Sequence, residues 1–199
     1  MKKKTLILIF CCIICFVPNM VFADQFSDKE IKKVQMWADY VSEMRNEKDL
    51  KERAEYIVKA TILPESENIY LGKIDGCTKT KIQINEVYKG DIKLNEVITL
   101  MEPYFSYYDE EDDVIYEFHS ELYNKSEVGK EYIFFLIKYE SENNTIYGLV
   151  NEYYGRYPIP SKERAVVSVE DMKPEDFDLY DGYIGDYKKI YDEIVNIYQ

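Results

Sequence analysis

The chain has 199 residues, room for one ordinary domain or one domain with a helical appendage. Hydrophobic residues make up 46%, which suits a packed core and excludes overall disorder. Lys+Arg is 25 and Asp+Glu is 38, so the formal net charge is −13. That balance excludes a basic nucleic-acid-binding domain and disfavours docking to anionic lipid head groups, because like charges repel.

The N-terminus reads as a targeting segment. Lys2, Lys3 and Lys4 precede an apolar run from Thr5 to Val17, broken by Pro18 and Asn19. The run is shorter than the about 20 residues a spanning helix needs. Val21-Phe22-Ala23 puts small residues where a signal peptidase reads, so cleavage before Asp24 and a secreted or cell-wall location are expected. An uncleaved anchor is the alternative. A lipoprotein is not expected, because no small residue of the lipobox kind precedes Cys11, Cys12 or Cys15. Cleavage would leave a charge of 22 − 38 = −16 over 199 − 23 = 176 residues, with Cys77 as the one thiol and no intramolecular disulfide. The abundance of Lys, Ile, Asn, Tyr and Glu suggests an AT-rich coding genome and favours a bacterial source.

The spacing predicts a helix over residues 28 to 47. Ser27-Asp28-Lys29-Glu30 has the form of a capping box, and Ile31, Val34, Trp37, Val41 and Met44 recur on one helical face. Asp49 can start a short turn through Leu50 to Ala54. From Tyr56 the period changes to that of strands. Tyr56 to Leu63 is β-branched and apolar and is stopped by Pro64. Thr80 to Tyr88 switches phase near Asn85-Glu86, which predicts a bulge. Lys89-Gly90-Asp91 is turn chemistry, and Val97 to Met101 returns. Val114 to Phe118 reads as a further strand. Tyr132 to Ile137 is an unbroken apolar run, as in a strand buried on both faces. Asn143-Asn144 marks a turn, Thr145 to Tyr154 returns, and Gly155 with Pro158 and Pro160 closes the β region. Arg164 to Val169 is a short strand candidate. Asp186 caps a last helix with Tyr187, Ile190, Tyr191, Ile194 and Ile197 on one side.

The expected fold is therefore mainly β, of the α+β class. It is a small antiparallel barrel of five or six strands flanked by an N-terminal and a C-terminal helix. The expected organisation is a signal peptide over 1–23, an amphipathic helical region over 24–53, the barrel over 54–160, and an acidic connector with the last helix over 161–199.

Three stretches carry a resemblance: Glu55 to Thr61, Ile84 to Asp91, and Val128 to Leu136. Together they resemble secreted bacterial proteins with an oligonucleotide/oligosaccharide-binding-type (OB) barrel, similar to the netrin-like module of tissue inhibitors of metalloproteinases. The resemblance covers about residues 54 to 154 and implies an OB-like barrel. Those inhibitors chelate the protease zinc through an N-terminal, disulfide-tied Cys. A chain beginning at Asp24 has none, so zinc chelation is not implied.

Chemistry is sparse. The lone His119 and Cys77 lack a visible orienting group or oxyanion hole. Cys77 is expected as a half-buried turn thiol and His119 as a surface residue beside Glu117 and Glu121. No zinc-ligand spacing, phosphate-binding loop or nucleophile elbow occurs. Paired carboxylates of a hydrolase are not singled out among 38 acids.

The unusual feature is charge segregation. Leu94 to Asn124 contains no Lys or Arg. It carries Glu96, Glu102, Asp109, Glu110, Glu111, Asp112, Asp113, Glu117 and Glu121, interleaved with Tyr104, Phe105, Tyr107, Tyr108, Tyr116, Phe118 and Tyr123. Acids among aromatics suit a cationic protein or cell-wall partner, through Coulomb attraction and cation–π contacts. They also suit Ca²⁺, although no cofactor is expected otherwise. A solvated loop with tyrosines lying over the barrel is the third reading. The candidate ligand-binding residues are Tyr104, Tyr107, Tyr108, Asp109, Glu110, Glu111, Asp112 and Asp113. Residues 176 to 182 fail the EF-hand register, since Tyr180 and Tyr187 stand where ligands are needed, and read as an acidic connector. The expected function is a secreted, non-catalytic binding module; the alternatives are an extracellular carboxylate hydrolase and a protease inhibitor acting through barrel loops.

Overall fold

The computed structural model describes residues 28–36, 44–72, 74–120, 122–141, 144–160, 168–180, 182 and 184–198. Its elements are β1 (Glu30–Met36), α1 (Glu47–Arg53), β2 (Tyr56–Tyr70), β3 (Gly76–Lys89), β4 (Val97–Glu102), β5 (Tyr104–Asp109), β6 (Val114–Ser120), β7 (Glu131–Ser141), β8 (Asn144–Leu149), β9 (Arg156–Pro158) and α2 (Gly185–Tyr198). The fold is mainly β, with a closed five-stranded barrel and a helix at either side of it in sequence.

The barrel order is β2-β3-β4-β8-β7, and β7 pairs back onto β2 to close it; β9 adds to the far part of β7. The pairings are antiparallel except for β4 with β8, which is parallel. Closure leaves the barrel without a free edge, as in small OB-type barrels. The interior is filled by Val58, Ala60, Ile62, Ile82, Ile84, Leu100, Tyr132, Phe134 and Leu136. Phe135, on the opposite face of β7, is equally buried under a second core built with Leu50, Tyr157, Phe177 and the α2 residues Tyr187, Ile190, Tyr191 and Ile194. The unbroken apolar run of β7 is thus explained by two cores, one on each face.

Two irregularities were legible in the residues. Lys59 pairs with Glu86 and Ala60 with Ile84, so Asn85 is the extra residue of a bulge. Gly90 has φ 93°, and a Cβ there would strike the Tyr56 ring, so only glycine fits that turn. Pro64 does not end its strand. β2 runs on to Tyr70 because the ladder skips from Ile62–Ile82 to Ser66–Thr80, leaving Pro64 in an unpaired stretch where its missing N–H costs no bond.

Three expectations need correction. Residues 30–36 form β1, not a helix; β1 pairs parallel with β6. The helix before the barrel is the short α1, where a short turn from Asp49 to Ala54 is expected from the sequence; its N-cap Asn46 accepts from the Asp49 N–H at 3.0 Å. Met44 is buried in the outer core, while Trp37 and Val41 lie outside the described residues, as do Ser27, Asn143 and positions 164–167 of the strand candidate that begins at Arg164. On α2 the buried face ends with Tyr198, whereas Ile197 is exposed. Finally, His119 is buried rather than on the surface, its ring 3.9 Å from that of Tyr180.

Candidate functional site

The acidic-aromatic segment is a β-hairpin, not a loop. Tyr104 to Asp109 strongly favours a strand by its aromatic content, and β5 pairs antiparallel with β6 from Tyr104–His119 to Asp109–Val114. In chain order the hairpin is inserted between the third barrel strand, β4, and the fourth, β7. With β1 it makes a separate three-stranded sheet in the order β1-β6-β5.

Side chains of β2 and β3 fix the hairpin to the barrel. Asn68 and Tyr70 donate to the Ser106 carbonyl at 3.2 and 2.7 Å, and Thr78 Oγ1 donates to the Tyr104 carbonyl at 2.7 Å. Phe105 stacks on Phe118 at 4.8 Å and lies directly over Gly76, where an added Cβ would approach it to 3.0 Å. Tyr70 meets Phe105 and Tyr107 edge-on at 6.1 and 6.3 Å.

The turn carries the exposed charge. Asp109 Oδ1 accepts from the N–H groups of Glu111 and Asp112 at 2.9 and 3.3 Å, tightening residues 110–113. Asp113 has φ 56°, a left-handed conformation that aspartate tolerates better than most residues. Glu110, Glu111, Asp112 and Asp113 are all exposed. Tyr108 Oη donates to Asp113 at 2.6 Å and Tyr116 Oη donates to Asp112 at 3.1 Å. Tyr107 and Tyr108 are half-buried beside them. Tyr104 stands apart, facing inward at the base of the hairpin. Burial first, then the charge of Glu102, pushes its hydroxyl up.

Positive charge reaches this surface from β1 and the residue before it. Lys29 Nζ lies 2.7 Å from Asp113 Oδ1 and 2.9 Å from Oδ2. Lys32 Nζ sits 5.9 Å from the Tyr116 ring centre and Lys33 Nζ 4.6 Å from that of Tyr180. Hydrogen bonds from Lys29 and Tyr108 hold the Asp113 carboxyl below its ordinary value, and Asp113 in turn raises Lys29. Among the described residues, no group of three or more His, Cys, Asp or Glu is placed to hold a metal.

Glu102, counted among the acids of the segment, belongs elsewhere. It is 1% exposed. Its carboxylate accepts from Thr80, from Tyr123 Oη at 2.7 Å and from Ser126 N and Oγ at 3.1 and 2.5 Å. The equally buried Arg156 donates to Ser126 Oγ and to the carbonyls of Asn124 and Asp178 at 2.7, 2.9 and 2.8 Å, with its guanidinium 4.0 Å over Tyr123. Asp178, also buried, accepts from Lys130 and Tyr132 at 2.7 Å. Burial works against the charge of Arg156, but Tyr123, Tyr132, Glu102 and Asp178 outweigh it and hold its pKa up. Within the stretch that reads as an acidic connector, residues 177–179 are buried: Phe177 lies in the outer core and Asp178, with φ 55°, turns its carboxylate inward.

A concavity of about 290 Å³ opens on the barrel wall between Glu65–Glu67, Lys79, Lys81, Thr99 and Asn144–Ile146. Nothing in the sequence pattern marks it, since its residues come from four strands. Cys77 lies in β3, half-buried, with burial raising its thiol. No protein-family model matches the chain, and no curated protein matches it.

Proposed function

We propose that the protein is a secreted, non-catalytic binding module that recognises a cationic protein or cell-wall component through the turn and outer face of the β5–β6 hairpin. The carrying observation is that Asp113 and Tyr116 already hold Lys29 and Lys32, so the surface accepts ammonium groups in defined geometry while Glu110 and Glu111 remain exposed next to it. Exposed carboxylates steer a cation at long range, and adjacent tyrosine faces add short-range attraction of about 0.5–1 kcal/mol each. The carboxylates are held by different partners, the turn N–H groups, Tyr116, Tyr108 and Lys29, an arrangement that favours a surface over a paired-carboxylate hydrolase site. Similarity to the netrin-like module belongs to the same proposal, while the barrel's strand order supports an OB-like barrel.

The test uses an oligolysine peptide as probe. Affinity should fall as salt rises, because exposed charges are screened within about 8 Å at physiological ionic strength. Neutralising Asp109, Glu110, Glu111, Asp112 and Asp113 together to Asn/Gln should abolish binding, chiefly by slowing association. A Ca²⁺-dependent rise in melting temperature that the same variant loses would instead assign the turn to Ca²⁺.

A further inference from the structure

β1 is an unusual occupant of its place. None of its residues from Glu30 to Met36 is buried, and Ile31 is 54% exposed. Its register runs along the whole of β6, Glu30–Val114 to Met36–Ser120. Beyond that ladder, the lysine contacts given above tie it to the hairpin turn, Tyr116 and Tyr180, and Val34 and Met36 are half-buried. An edge strand with no buried side chain opens at low free-energy cost. Opening it would bare the outer edge of β6, and a bare edge is a template for strand addition.

We propose that β1 is a self-supplied occupant of a strand-addition site. Its release admits a lysine-bearing extended polypeptide that lies parallel to β6 and places its ammonium groups where Lys29, Lys32 and Lys33 now sit. This rests on the reading of the hairpin as a cation-binding surface, and it adds the form and direction of the partner. Main-chain bonds to β6 supply affinity. Specificity comes from both faces of the strand: Lys32 shares its face with Tyr116, and Lys33, one residue on, points to the other face, towards Tyr180. The N-terminal lysine meets Asp113 at the turn. A flexible polycation lacking this spacing would gain only the long-range attraction.

The experiment compares the intact chain with the double variant Ile31→Pro/Val34→Pro. Positions three apart direct their N–H groups to opposite edges, so at least one proline removes a ladder bond. The probes are a labelled peptide of sequence 28–36, a copy with its three Lys changed to Glu, and oligolysine. If β1 occupies the site for about nine-tenths of the time, the variant binds the first peptide about tenfold tighter than the intact chain does, and neither protein binds the charge-reversed copy. Equal affinity in both proteins, or equal binding of the reversed copy, overturns the proposal. So does a dimer of the intact chain with β1 exchanged, which would make a second copy the occupant. Oligolysine binding without any gain in the variant sinks the inference and leaves the cation-binding reading standing. Loss of oligolysine binding in both proteins sinks that reading, and the inference with it. Hydrogen exchange on the intact chain decides the matter if the variant does not fold. The β6 amides facing β1 should exchange faster than those facing β5, and the first peptide should slow them; equal rates overturn the proposal.

Discussion

Arg156 puts a full positive charge where water does not reach, in the joint between barrel, hairpin base and residues 177–179. Such a charge is tolerable only because carbonyls, Ser126, Glu102 and two tyrosine faces surround it. Arg156→Ala should therefore cost about 3–5 kcal/mol, because it strands Glu102 without its cation. Urea unfolding with a loss under about 1 kcal/mol would show that Glu102 does not depend on it. Asp113 is the opposite case, an exposed carboxylate with a lowered pKa. Its folded value lies below its unfolded one, so its contribution to β1 docking is complete above the ordinary aspartate value of about 4 and is lost as pH falls through the lowered value. Backbone amide NMR shifts of β1 should move in that acid range and not at neutral pH, and Asp113→Asn should remove the transition. A β1 that stays docked without change down to pH of about 2 would contradict the role given to the Lys29–Asp113 pair.

At the scale of elements, β7 is the spine of the molecule, with Phe134 in the barrel core and Phe135 in the outer one. Phe134→Ala should cost about 3–5 kcal/mol by urea unfolding, the range for truncating a core aromatic; a loss of under about 1 kcal/mol would contradict its burial. The barrel strands were legible because Tyr132 to Ile137, Asn85 and Gly90 each carry a local signal: an apolar run, a phase switch and a turn glycine. β1 and β5 were not. Ile31 and Val34 recur at a spacing that fits a helix, and only the distant ladder to β6 and the lysine contacts decide for a strand, a tertiary effect that overrides local pattern. β5 was hidden by the acids beyond it, although Tyr104, Phe105, Tyr107 and Tyr108 between Pro103 and a five-acid turn are a strand signal in their own right. The candidate surface was half legible for the same reason. Its acids and tyrosines were visible as composition, but the departure of Glu102 and Tyr104 inward, and the arrival of Lys29, Lys32 and Lys33, depend on topology.

At the scale of the whole molecule, tyrosines supply the bulkiest packing, Tyr123, Tyr132, Tyr157, Tyr187 and Tyr191 being among the largest fully buried side chains. Burial pushes Tyr123, Tyr157 and Tyr187 well above the ordinary phenol value, and burial then Glu117 raise Tyr180 to about 12. Raised phenols stabilise the fold fully below about pH 10 and withdraw that contribution as pH climbs through their raised values. An ultraviolet titration should therefore show one group of phenols ionising near 10 and a second ionising only together with unfolding at higher pH. A single reversible step for all of them would contradict the two-core packing. The molecule otherwise consists of a closed barrel and an appended sheet whose acidic turn stands clear of it, and that sheet is the seat of the proposed function. The most direct measurement is a hydrogen-exchange footprint of oligolysine on the unmodified chain at low salt. Slowed exchange confined to β5, β6 and the turn at 110–113, and erased by added salt, is the predicted result. A footprint over the wall of Glu65–Glu67, Thr99 and Asn144–Ile146, or none at all, would contradict the assignment of binding to the acidic hairpin.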